Sequence, residues 1–198
     1  MKKLIFCVAI AATTFLTTNA QDGERIFKKF KGDVSLGYAA PLGSSMPGGI
    51  VFALEPKFAL MDKLSVGLRM EGAVFGNFKN TLIYENENAN TTESYLATAD
   101  YYFTDNYSFR PFAGAGAGAF ILTTDALNFN DKRTSAKFGG LIRAGAEVKH
   151  FRFGVEYNFV PQTDLITYDT YGNASSAKSK NSYVGIKAGF CFGGGPRR

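Results

Sequence analysis

The stretch Tyr95-Leu96-Ala97-Thr98-Ala99-Asp100-Tyr101-Tyr102-Phe103 and the stretch Phe109-Arg110-Pro111-Phe112-Ala113-Gly114-Ala115-Gly116-Ala117-Gly118-Ala119-Phe120-Ile121 decide the fold. Every second residue of the first is Tyr, Ala, Ala, Tyr, Phe. Every second residue of the second is Phe, Pro, four alanines and Ile. The positions between them hold Asp100, Arg110 and three glycines. Alternation with period two is the mark of a strand whose two faces meet different surroundings. The short link Thr104-Asp105-Asn106 has turn chemistry, so the two stretches form an antiparallel hairpin.

Working outward, the same period recurs in six more segments. The eight strands are expected near 33–40, 49–60, 64–75, 94–103, 109–121, 136–148, 151–160 and 182–192. Most reach the ~9–11 residues that a tilted strand needs to cross a bilayer. Long polar links, 41–48, 76–93, 122–135 and 161–181, follow the odd strands. Tight turns, Met61-Asp62-Lys63, Thr104-Asp105-Asn106 and Lys149-His150, follow the even ones. Short turns on one rim and long loops on the other are the pattern of a transmembrane barrel, with the short turns and both ends of the strand order on the periplasmic side.

The two faces differ chemically along all eight segments. One is free of charge throughout, from Val34, Leu36 and Tyr38 in the first strand to Val184, Ile186, Ala188, Phe190 and Phe192 in the last. The other carries every strand charge. Its cations are Lys57, Arg69, Arg110, Lys137, Arg143, Arg152 and Lys187; its anions are Asp33, Glu55, Glu71, Asp100, Glu147 and Glu156. In a membrane barrel the charge-free face meets lipid; in a soluble lipocalin-like ligand-binding barrel the faces are reversed. Near-balance of charge and abundant glycine on the charged face suit a crowded lumen, where bulky side chains lie over Gly and each charge needs a partner. Aromatics toward strand ends suit two interfacial girdles: Tyr101, Phe103, Phe109, Phe151, Phe153, Phe190 and Phe192 at one, Tyr38, Tyr95, Phe138, Tyr157 and Phe159 at the other. Lipocalins also usually carry a Gly-x-Trp motif, and this chain has no Trp.

The amino terminus reads as a secretory signal peptide over 1–20: Lys2 and Lys3, an apolar run Leu4 to Ala12, and small residues ending at Ala20, where cleavage is expected. A periplasmic segment 21–32, a barrel over 33–192 and a short tail 193–198 follow. Processing leaves 20 basic and 17 acidic residues, a formal +3 with the excess near the ends. Only Cys191 then remains, which excludes an intrachain disulfide framework. No apolar run is long enough for a membrane-spanning helix.

The segments Tyr101-Tyr102-Phe103-Thr104-Asp105-Asn106 and Arg110-Pro111-Phe112-Ala113-Gly114-Ala115-Gly116 resemble the small outer-membrane β-barrel family, with its OmpA-type and OmpX-type domains. The likeness extends over about 30–193. It implies residence in the outer membrane of a Gram-negative bacterium, contact with outer-membrane lipid and insertion by the barrel-assembly machinery. Family members commonly end on the last strand's aromatic residue, whereas Gly193 to Arg198 follow Phe192 here. OmpA-type proteins often carry a peptidoglycan-binding domain after the barrel, and none is expected here.

Catalytic chemistry finds little support. His150 is the single histidine and falls in a turn, with no serine or cysteine motif beside it. One His and one mature Cys give no metal-ligand spacing, and Gly114, Gly116 and Gly118 lie inside a strand rather than in a phosphate loop. No catalytic residue, cofactor, metal or nucleic-acid partner is therefore expected. Asn90-Thr91-Thr92 and Asn173-Ala174-Ser175 match a glycosylation pattern by chance. The candidate site is the lumen network Glu55, Lys57, Arg69, Glu71, Asp100, Arg110, Arg143, Glu147, Arg152, Glu156 and Lys187. Eight strands leave a lumen about wide enough for side chains alone, so the network is expected to plug it. The protein is then a non-enzymatic structural or surface-interaction barrel; the alternatives are a narrow channel for small solutes and the soluble ligand carrier.

Overall fold

A computed structural model of the chain describes residues 26–43, 47–76, 90–124, 133–168 and 174–196. The expected signal peptide and parts of the long links lie outside these residues. The chain forms β1 (Phe30–Pro41), β2 (Gly49–Met61), β3 (Leu64–Phe75), β4 (Asn90–Tyr102), β5 (Arg110–Thr124), β6 (Arg133–Val148), β7 (Phe151–Phe159), β8 (Thr163–Tyr168), β9 (Ala174–Ser179) and β10 (Tyr183–Gly193). Eight of these close into an antiparallel barrel in the order β1-β10-β7-β6-β5-β4-β3-β2. Strands β8 and β9 form a separate hairpin in the link between β7 and β10. No helix among the described residues is long and apolar enough to cross a membrane, so any crossing is made by strands.

Four boundaries extend beyond the alternation. β1 starts at Phe30 rather than 33, because Phe30, Lys31 and Gly32 pair with Phe58, Lys57 and Pro56. β4 starts at Asn90, β5 runs to Thr124 and β6 starts at Arg133, since Thr91↔Thr123 and Leu122↔Ser135 still pair beyond the last alternating apolar residues. Backbone pairing continues there, although the contrast between the faces has faded. The β8–β9 hairpin was expected as loop. Its base is held by the Asn181 amide, whose Nδ2 donates to Pro161 O at 2.7 Å and to Thr163 Oγ1 at 3.0 Å.

Side-chain direction settles the lipocalin alternative. The charge-free face points out: Phe138 is 76% and Phe30 75% exposed, and Leu36, Phe52, Leu68, Ile142, Val155 and Ile186 are all exposed around the barrel. The charged residues point in, and all but the half-buried Lys137 are buried. A soluble carrier needs the reverse, an apolar cavity inside a polar coat. The expected girdle residues Tyr101, Phe103, Phe109, Phe151, Phe153, Phe190 and Phe192 are exposed near the short turns, with edge-to-face contacts such as Phe190–Phe192 at 4.9 Å.

Candidate functional site

All eleven residues expected in the lumen are buried inside the barrel. Ten of them join one ion-pair network; Arg110 is the exception. Asp100, fully buried on β4, is the hub of the half nearer the short turns. It accepts hydrogen bonds from Lys57 Nζ at 2.7 Å, Arg143 Nε at 2.7 Å and Arg152 Nη2 at 2.9 Å. Glu55 takes the other face of Arg143 in a bidentate pair at 2.6 and 2.7 Å, and Thr98 also donates to it. Arg69 lies 3.7 Å from Glu55 and links this half to a second cluster, where Arg69 and Lys187 share Glu71 and Glu156. The Tyr183 hydroxyl donates to Glu71 at 2.6 Å.

Two members come from outside the expected set. Lys31 pairs with Glu147 and with Asp33, and Asp33 pairs with Lys57 at 2.5 Å. Lys31 falls in the segment 21–32 that is expected to precede the barrel. It shares the parity of Asp33 and Gly37, so beginning β1 at Phe30 would have placed it inside. With these two, the network holds six cations (Lys31, Lys57, Arg69, Arg143, Arg152, Lys187) and six anions (Asp33, Glu55, Glu71, Asp100, Glu147, Glu156). Equal numbers matter because an uncompensated charge in a dry lumen costs several kcal/mol. Glycines give the long side chains room: a Cβ on Gly114 would strike Asp100 Oδ1, and one on Gly37 would meet the Lys187 stem.

The charge layer is bracketed by an apolar layer on one side and by a cap of aromatic rings around Arg110 on the other. Toward the long links, Val51, Phe75, Leu96, Phe120, Leu141 and Tyr183 fill the lumen. They share the parity of the charges, so alternation alone could not mark them as a separate layer. Toward the short turns, Arg110 lies between two rings, its guanidinium carbon 4.0 Å from the Phe27 centroid and 4.1 Å from that of Tyr102, while Nη2 donates to Asp62 O at 2.6 Å. Phe27 is fixed there by its N–H to the Asp62 carboxylate and by a bridge to Pro196. A void of about 20 Å³ is left among the charges, room for about one water molecule and too little for a hydrated ion.

His150 Nδ1 donates to Cys191 O at 3.1 Å, because a carbonyl only accepts; Nε2 is then the acceptor for Tyr107 Oη at 3.0 Å. Both nitrogens are thus engaged in joining turns. Asp33, Glu147 and Cys191 bring ligand-type atoms within 4.8 Å of one another. The Lys31 ammonium pairs with both carboxylates and Arg152 lies beside them, which supplies the positive charge a metal ion would bring.

No family model matches the sequence, and no curated protein matches it. Solved structures do. Neisserial surface protein A matches with a TM-score of 0.54 at 15% identity, over 83% of this chain and 95% of that one. The outer-membrane protein OprG of Pseudomonas aeruginosa matches with a TM-score of 0.55 at 14% identity, over 87% of this chain and all of that one. The fold is that of a small outer-membrane β-barrel. In this small barrel buried charged residues fill the interior, and the apolar surface faces outward.

Proposed function

We propose that the protein is an integral outer-membrane barrel with a sealed lumen, acting as a structural or surface-interaction scaffold rather than as a pore or an enzyme. The observation that carries this reading is the six-against-six network sealed between an apolar layer and the Phe27–Arg110–Tyr102 stack, inside an apolar exterior. A conducting pore needs a continuous polar path, and Phe75, Leu96, Phe120 and Leu141 close the lumen above the charges. In the same reading the first twenty residues direct export, the barrel-assembly machinery inserts the chain, and the short turns face the periplasm. The long links, including the β8–β9 hairpin, are then displayed outside the cell, where loops on a rigid scaffold carry recognition.

Two measurements test this. A closed barrel pairs its backbone groups internally and resists detergent until heated. Boiled and unboiled samples should therefore migrate differently on a detergent gel; identical mobility of a protein found in the soluble fraction would remove the membrane reading. In planar bilayers the wild type should carry little or no steady current. Reproducible large channels whose ion preference changes in Arg69→Ala or Arg143→Ala would instead establish the solute channel.

A further inference from the structure

We infer that a groove on the outer face of β2–β5 seats the acyl chains of an anionic phospholipid, with Lys28 at its mouth to meet the headgroup. This rests on the membrane reading above. The groove encloses about 850 Å³ in the half of the barrel nearer the short turns. Its floor is Ala97, Ala99, Ala115 and Ala117, which pair across β4 and β5 as Ala97↔Ala117 and Ala99↔Ala115. Leu68 and Phe58 rise on its flank. Elsewhere on the belt outward alanines such as Ala144 and Ala188 pair with Val155 and Phe153, whereas here four alanines pair with one another, so these alanines form a local depression. In a bilayer such a depression is filled by chains or by protein.

Charge selects the occupant. Phe30 lines the groove and meets Phe58 edge-on at 5.1 Å. The chain just before it is fastened to the same rim, since Ala59 N donates to Lys29 O at 2.7 Å. Lys28, two residues before Phe30, is exposed, with its N–H donating to Gly195 O at 3.0 Å. Among the described residues no carboxylate pairs with Lys28 or Lys29. The Asp62 carboxylate nearby accepts the N–H groups of Ile26 and Phe27 instead. An apolar trough in the membrane with a free ammonium at its interfacial end is complementary to a lipid with two chains and a negative headgroup.

The absence of Trp from the chain makes a direct test possible. Single reporters Leu68→Trp, in the groove, and Val155→Trp, at equal depth on the opposite wall, are reconstituted with brominated phosphatidylglycerol or brominated phosphatidylcholine. At Leu68→Trp the anionic lipid should quench preferentially, by about fivefold from one lysine near the surface; Val155→Trp should show no preference. Adding Lys28→Gln with Lys29→Gln should abolish the preference, and Ala99→Phe, which fills the floor, should do the same. Equal quenching by both lipids at both reporters overturns the proposal, as does a preference that survives loss of the lysines. Shielding of Leu68→Trp from both lipids, with Val155→Trp quenched, would mean that protein covers the groove. Quenching at neither reporter would instead defeat the membrane reading itself.

Discussion

Asp100→Ala should destabilise the barrel by about 3–5 kcal/mol, the cost of removing one partner from a buried ion-pair network. The side chain touches Lys57, Arg143 and Arg152, and nothing else in reach can take all three hydrogen bonds. Asp33 and Glu55 would still hold Lys57 and Arg143, but the three positive groups would face a deficit of one charge in a space sealed from water. Asp105→Ala is the matched control. Asp105 pairs with Lys63 at 3.4 Å, but the two side chains are 39% and 44% exposed, and exposed pairs contribute about 0–1 kcal/mol. Urea titration of protein refolded in lipid vesicles measures both, with Asp100→Asn keeping the shape and losing only the charge. If Asp100→Ala unfolds within about 1 kcal/mol of wild type, the lumen is wet and the sealed reading fails.

Ala115→Arg should cost about 2–4 kcal/mol, because the side chain projects from the middle of β5 into the centre of the lipid belt. Ala115 is exposed and lies between Ala99 and Ile142, while Gly116 beside it faces Thr98 and Leu141 inside. Phe109→Arg, at the rim, should be milder, about 0–1 kcal/mol apart from the lost aromatic anchor. Repeating the titration in thicker and thinner bilayers adds a second axis: the penalty at 115 should grow with thickness and that at 109 should change little. A folding free energy for Ala115→Arg equal to wild type would show that this face does not meet lipid.

The strand count, the facing of each strand and the lumen charges were legible because one property, charge, sorts by parity within the expected strands; Glu93, which the longer β4 places on the outer face, is an exception. What escaped did so for separate physical reasons. Lys31 was hidden by its basic neighbours Lys28 and Lys29, whose charge suggested a solvated segment. The apolar layer of Val51, Phe75, Leu96, Phe120 and Leu141 obeys the same parity as the charges, and only three-dimensional depth separates the two. Phe27 lies before the first alternating residue, so its position against Arg110 is a product of tertiary packing. Thr163–Tyr168 and Ala174–Ser179 lack a contrast between faces that would mark them as strands.

The seam between β1 and β10 has a kinetic consequence. It joins Lys31 to Gly193, positions 162 apart in sequence, whereas every other barrel contact joins nearer neighbours along the chain. Contacts of such separation are the slowest to form, since loop closure must precede any gain from pairing. On the lumen side of this seam small pairs, Ser35 opposite Gly189 and Ala39 opposite Gly185, alternate with long or charged ones, Asp33 opposite Cys191 and Gly37 opposite Lys187. All eight strands can therefore assemble as an open sheet, joined by the other seven pairings, with most of the charges still reachable by water. The last zippering step then carries Lys31 and Lys187 across to Glu147 and Glu71 and drives the water out in one event. Refolding should accordingly be rate-limited at this junction, with secondary structure appearing before resistance to detergent.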